Sequence, residues 1–583
     1  MIKIEHLIVF LAIGLLFAAC QTDSDTSGST LFETVTARQS GIDFVNELSY
    51  NRDFNIYTYR NFYNGGGVAI GDVNNDSYPD LYFTGNMVSN RLYLNKGDFE
   101  FTDITETAGV GGEKAWSTGV SMADVNADGW LDIYVCNSGD IGGDNKQNEL
   151  FINQQDGTFK EMAEAYGIAD PGYSTHAAFF DYDRDGDLDL YLLNNSYQAI
   201  GSFNLEKTNL RPFRDSVGGD KLFENVGDQF VDVSEKAGIY GSVISFGLGV
   251  TIGDVNRDGW QDIYVSNDFF ERDYLYINQQ DGTFSEVLEE RFRSISAASM
   301  GADMADINND GFPDIFVTDM LPATDIRLKT ATTFDNWDRY QLAVNNDYHH
   351  QFTRNMLHLN NQDGSFSEIG RLAGVHASDW SWGALMADFD NDGWRDLFIA
   401  NGIYQDLTDQ DFIQFISNEE TIKMIVVEDE VDYQKLIDAI PSVKIPNCAF
   451  RNTGGITFKN EAEAWGLAVP SHSNGSAYGD LDNDGDLDLV VNNVNMAPFV
   501  YRNQQTLKNP DQHWLQIEFT GAGANTKALG AKVVATVGKE KIYQEHMPMR
   551  GFQSSMDYVL HLGLGQANQV DTLEIFWPNG NMM

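Results

Sequence analysis

One pattern of oxygen-bearing residues recurs seven times along this 583-residue chain: Asp-x-[Asp/Asn]-x-Asp-[Gly/Ser]-x-x-Asp, followed each time by an apolar run. Calcium is a hard cation that takes six to eight oxygens, and a loop offering side chains at positions 1, 3 and 5 with a backbone carbonyl at 7 curls around it. Here the fourth side chain comes from Asp at position 9, at the mouth of a strand, where an EF-hand would supply Glu at 12 between helices. In chain order the expected ligands are Asp72, Asn74, Asp76 and Asp80 with the carbonyl of Tyr78; Asp124, Asn126, Asp128 and Asp132 with Trp130; and Asp181, Asp183, Asp185 and Asp189 with Asp187. They continue as Asp254, Asn256, Asp258 and Asp262 with Trp260; Asp306, Asn308, Asp310 and Asp314 with Phe312; Asp388, Asp390, Asp392 and Asp396 with Trp394; and Asp480, Asp482, Asp484 and Asp488 with Asp486. Without metal each loop is strongly self-repelling, so the expectation is up to seven Ca2+, one per repeat. Glycine at position 6 permits the turn, but the first copy has Ser77 there. A side chain forced to positive φ costs about 1 kcal/mol, which marks that site as the weakest or empty one.

The elements that must hold these loops are short strands. Between successive loops lies a second repeat, as in NRLYLNKGDFEFTDIT and DYLYINQQDGTFSEVL, whose alternation and Asp-Gly turns read as hairpins. Each unit then carries about four strands, the content of a propeller blade. The closing Phe of the hairpin appears at Phe101, Phe159, Phe230, Phe284, Phe366 and Phe458, six times against seven loops. FVYRNQQTL begins a seventh hairpin without finishing it, and the N-terminal LFETVTARQSGI has the missing form, so Phe32 is expected to close the ring. The fold class is therefore all-β, a seven-bladed β-propeller over residues 31–505, with insertions near 197–219, 319–353 and 402–446. Within the third insertion, residues 409–440 show helical spacing and are expected to cap one face.

The second insertion gathers Trp337, Tyr340, Tyr348, His349, His350 and Arg354, a mixture suited to a sugar or peptide, and Trp380 with Trp382 extends the expected contact face. Ordinary loop packing is the competing account of these residues. No Gly-x-Ser-x-Gly, Walker, His-Glu-x-x-His or Cys-x-x-Cys motif is present, and no catalytic residue is assigned. Two readings stay open: a binding or adhesion module, and a calcium-dependent lyase or hydrolase of acidic glycans, for which Tyr348, His349, His350 and Arg354 would have to supply base and cation. His176 and His472, each ahead of an Asp loop, are expected to line the axial channel.

Formal charge of −50 argues against nucleic acid and anionic lipid as partners. Residues 1–19 have the shape of a signal peptide, with Lys3 before the apolar run Leu7 to Ala19. Phe17-Ala18-Ala19-Cys20 resembles a bacterial lipobox, which implies a lipid on Cys20, a tether over 20–30, and an exported protein held at the outer membrane, facing either the periplasm or the exterior. Membrane contact is then through the lipid alone. Cys136 and Cys448 fall in different repeats and read as free thiols.

The Asp loops and hairpins resemble FG-GAP or VCBS repeats, related to the propeller of integrin α subunits. NTKALGAKVVATVG through VDTLEIFWPNG resembles the ASPIC/UnbV module, here over 511–583. The combination resembles the cartilage acidic protein family and its bacterial lipoprotein relatives. That resemblance implies an extracellular calcium-binding propeller with a small β-domain behind it, and the binding reading adds a glycan or extracellular protein as the expected ligand. The chain stops three residues after Trp577-Pro578-Asn579-Gly580, which leaves that domain's C-terminal boundary open.

Overall fold

The computed structural model describes residues 30–583 apart from 114–115, 139–146, 199–208, 228, 333–335, 419–425 and 428–429. The signal segment, Cys20 and most of the tether lie outside the described residues, as does part of each of the three insertions. Among the described residues, seven four-stranded antiparallel sheets follow one plan. In blade 1, the inner strand Val68–Gly71 leads through an Asp loop to Asp80–Phe83, then Arg91–Asn95 and the outer strand Phe101–Asp103. The other inner strands are Ser117–Ala123, Ser174–Phe180, Gly247–Gly253, Ala302–Ala305, Ser381–Ala387 and Ser473–Gly479. Each lies against the inner strand of the next blade, and the series returns from the seventh to the first. Buried on both faces, these strands are rich in Gly, Ala, Ser and Thr, which lets seven backbones approach around one axis.

The ring closes as the Phe count implies. Blade 7 takes its outer strand from the N-terminus: Phe32–Thr34 pairs with Phe499–Asn503, Phe32 opposite Asn503 and Thr34 opposite Tyr501. No blade edge at the seam is left to template aggregation.

The C-terminal region sits on the end of the ring that carries the Asp loops. His513–Ile517 pairs with Leu560–Gly565, and Lys532–Val537 is flanked by Glu540–Glu545 and Thr572–Phe576. Between its strands, residues 549–556 thread the propeller axis. Ile70 N donates to Ser555 O at 3.0 Å, Val120 N to Gln553 O at 3.1 Å and Gly551 N to Ala302 O at 3.1 Å. Phe552, Gln553, Ser554 and Ser555 are completely buried. A Cβ on Gly67 would fall 1.7 Å from Gln553 O, so the plug needs glycine there. The channel expected beside His176 is thus filled: His176 Nε2 meets Ser554 O at 3.0 Å, and burial pushes its imidazole down to about 4.

Residues 44–64 cover the opposite mouth with a cluster of rings. Phe54 stacks on Tyr59 at 5.3 Å and meets Trp116 edge-on at 5.0 Å, with Phe62 between them. His472 lies at this end against Tyr404, 5.3 Å between rings. The third insertion also packs there, through Phe412, Ile437 and Ile440 beside Tyr50 and Ile56. Its expected helical run is instead two short helices, Gln410–Ser417 and Tyr433–Asp438, with Val426–Val427 and Glu430–Val431 paired between them. The β-branched pair Val426 and Val427 favours the extended pairing over helix. Cys136 and Cys448 are free thiols. No helix among the described residues is long and apolar enough to cross a membrane.

Candidate metal centres

All seven Asp loops adopt one conformation. Position 4 is left-handed in each, from φ 55° at Asn75 to 61° at Arg184, and position 6 is positive as well, 88–97° at the glycines and 70° at Ser77. Ser77 therefore carries the strain its side chain implies. In blade 2, Asp124 accepts from Asp128 N at 3.0 Å with Oδ1 and from Gly129 N at 2.8 Å with Oδ2, while Asp128 Oδ1 accepts from Trp130 N at 2.9 Å. The backbone N–H groups thus fix the carboxylates at positions 1 and 5 of the loop.

Position 9 does two jobs. Asp80, Asp132, Asp189, Asp262, Asp314, Asp396 and Asp488 are buried, and each Oδ2 accepts from the position-2 N–H of its own loop at 2.8–3.2 Å. Each Oδ1 accepts from the N–H of an Asn ending the third strand, at 2.8–2.9 Å: Asn95, Asn153, Asn225, Asn278, Asn360, Asn452 and Asn503. Six of these Asn side chains also donate to the position-2 carbonyl of the neighbouring blade, as Asn153 does to Val73 O at 2.8 Å. The expected ligand at position 9 is therefore also the rivet between loop, hairpin and adjacent blade. These asparagines were missed in the sequence, although every hairpin shows one at the end of its third strand, as in LYLN, LFIN and LYIN.

Three loops bring the acids closest. Carboxylate oxygens of Asp181, Asp183 and Asp189, of Asp388, Asp390 and Asp396, and of Asp480, Asp482 and Asp488 lie within 4.8 Å of one another. These are the loops with Asp at position 3. Buried oxygens with no hydrogen-bond partner among the described residues occur in the same three, at Asp181 Oδ1, Asp187 Oδ1, Asp390 Oδ1 and Asp482 Oδ1, whereas Asp482 Oδ2 is ion-paired with Arg502 at 2.6 Å and Asp390 Oδ2 and Asp392 Oδ2 with Arg451 at 2.5 and 2.9 Å. Burial, and then neighbouring carboxylates, raise Asp181 and Asp484 to about 7 and Asp480 to about 6, and push Asp388, Asp396 and Asp488 well above the usual carboxylate range. Buried carboxylate oxygens within 4.8 Å of one another, several of them without a hydrogen-bond partner, fit a hard divalent cation. In the other four loops Asn at position 3 donates to the acid at position 5, as Asn74 Nδ2 does to Asp76 Oδ2 at 2.9 Å.

The expected contact residues divide. Trp337 is 69% exposed on the helix Trp337–Asn345, 5.4 Å from the ring of Tyr340, which bonds His350 Nδ1 at 2.6 Å and neighbours Phe352. Arg354 lies over Phe352 and is tied to Glu368 at 3.1 Å, and His349 Nε2 meets Phe292 O at 3.2 Å. Tyr348 and Trp382 are not on a contact face. Tyr348 is buried beneath the Arg211 guanidinium and against Phe270, and Trp382 is buried against Phe552 with its Nε1 donating to Gly402 O at 2.6 Å. Trp380 is half-buried beside it, 6.3 Å between rings. Tyr348 belongs to the second insertion and Trp382 to the inner strand of blade 6, and both side chains are taken up in covering apolar surface of the ring.

A model of the FG-GAP-like repeat matches residues 72–135, 139–192, 254–317 and 341–399, and a model described as ASPIC and UnbV matches 521–583. Cartilage acidic protein 1 of Mus musculus is 24% identical over 553 residues, covering 89% of this chain and 71% of its own length. Cartilage acidic protein 1 of Xenopus tropicalis is 26% identical over 241 residues, 41% of this chain, and the chain spans only 33% of that protein. Integrin alpha-6 of Homo sapiens is 39% identical over 88 residues, 13% of this chain and 8% of the integrin.

Proposed function

We propose, from the premise that this chain is an FG-GAP-like repeat propeller with a C-terminal ASPIC and UnbV domain, homologous to cartilage acidic protein 1, that it is an exported, calcium-loaded binding module for a glycan or an extracellular protein. The observation that carries the reading is the set of orphaned, buried carboxylate oxygens in the loops of blades 3, 6 and 7. Calcium supplies the missing positive charge and sets the turns rigidly, and no redox or acid–base step is asked of it. With the axis filled from one end and lidded at the other, recognition falls to the outer surface, where Trp337, Tyr340 and His350 form the most exposed group of rings among the expected contact residues. Lys3, the apolar run after it and Cys20 support export with a lipid tether at the outer membrane.

The test is a glycan array and a panel of extracellular proteins probed with the calcium-loaded protein. The expected result is a ligand whose binding falls at least tenfold with Trp337→Ala and disappears on chelation. Absence of any ligand at every calcium level would sink the binding role.

A further inference from the structure

The C-terminal domain reaches the first aspartate of three loops, with three different side chains. Thr526 Oγ1 donates to Asp124 Oδ2 in blade 2, Gln516 Nε2 donates to Asp480 Oδ2 at 2.7 Å in blade 7, and Lys532 Nζ donates to Asp254 Oδ2 in blade 4. A hydroxyl and an amide leave the loop's charge as it was. The ammonium does not.

Lys532 is 6% exposed, on the central strand of the C-terminal sheet, directly across the ladder from Glu545. Glu545 Oε2 accepts from Asp254 N at 3.0 Å, and its Oε1 faces Gln261 Nε2 at 3.3 Å. The ammonium is therefore enclosed with a loop carboxylate on one strand and a domain carboxylate on the next. A divalent ion bound through Asp254 would stand within about 5 Å of that ammonium, since both would share one carboxylate. Two like charges shut away from solvent at that range repel strongly. Among the described residues blade 4 shares with blades 1, 2 and 5 a loop whose buried carboxylate oxygens all have hydrogen-bond partners, and it differs from them, and from blades 6 and 7 whose loop acids pair with the part-exposed Arg451 and Arg502, in holding its cation buried on the first aspartate.

We infer that the loop of blade 4 takes its compensating cation from Lys532 and holds no divalent ion, so that the C-terminal domain docks through a site of the kind its sibling loops keep for metal. This departs from the expectation of one ion per blade and rests on reading the remaining loops as calcium sites.

The test is the number of calcium ions per full-length chain, counted by native mass spectrometry at saturating calcium. Asp258→Asn in blade 4 is expected to leave the count at the wild-type value, Asp392→Asn in blade 6 to lower it by one, and Lys532→Gln to raise it by one. A count lowered by one in Asp258→Asn overturns the inference while leaving the calcium reading intact. A wild-type chain with no bound calcium overturns both. Asp258→Asn keeps the test decisive even where Lys532→Gln fails to fold.

Discussion

The two ends of the ring are built by opposite rules. At the loop end one nine-residue turn is written seven times, with position 4 held within a few degrees and the same Asp–Asn rivet behind each copy. At the other end nothing repeats: residues 44–64, the helices of two insertions and a cluster of rings around Trp116 cover the axis by irregular packing. On the proposed reading, the difference separates scaffold from recognition. The regular end carries charge that must be neutralised and gives the C-terminal domain its seat, and the irregular end varies because only burial constrains it.

Substitutions sharpen that contrast in order of size. Asp396→Ala leaves the N–H groups of Phe389 and Asn452 buried without an acceptor and should cost about 4 kcal/mol in denaturant unfolding. An effect under about 1 kcal/mol would show that the rivet is incidental. Arg550→Met strands Asp303 beneath the plug, where Arg550 Nε lies 2.6 Å from Asp303 Oδ1, and should cost about 3 kcal/mol. Stability unchanged by it would place the threaded segment outside the cooperative unit.

A pH series distinguishes the calcium-free from the calcium-loaded regular end by sign. In calcium-free protein, burial raises Asp181 and Asp484 to about 7 and Asp480 to about 6 from an ordinary 3.8. The folded state then binds more protons than the unfolded one between those values. Its stability rises as pH falls from about 7 towards 4 and is lost as pH climbs through 6 to 7. With calcium present the ions hold the same carboxylates ionised, so acidification displaces them and lowers the melting temperature. The two melting curves are expected to converge near the acid end, and parallel curves would contradict ion binding at these groups. Ser77→Gly relieves a left-handed residue and should gain about 1 kcal/mol. Trp337→Ala, at the irregular end, should change stability by less than about 0.5 kcal/mol while weakening ligand capture.

Much of the regular end was legible in the sequence because it repeats: seven acidic turns fixed the blade number, and the one-short count of closing Phe residues pointed to Phe32 as the seam. The asparagine rivets were visible in the same hairpins but need the fold to show that one side chain joins two blades. The plug was not legible. Residues 546–559 have neither the period of a strand nor that of a helix, and their burial is set by the channel that receives them. Lys532 likewise sits in an ordinary alternating strand, and only docking places it against Asp254. Tyr348 and Trp382 looked like contact residues by type, but the apolar end of the ring had more surface to cover than its strands supplied.

The most direct measurement is bound-metal content of the purified protein by inductively coupled plasma mass spectrometry, paired with thermal unfolding before and after chelation. Several calcium ions per chain and a fall in melting temperature of roughly 10 °C or more on chelation are expected, since each ion released from a tight site removes about 3 kcal/mol. A metal-free protein that melts at the same temperature with chelator would contradict the account at its root.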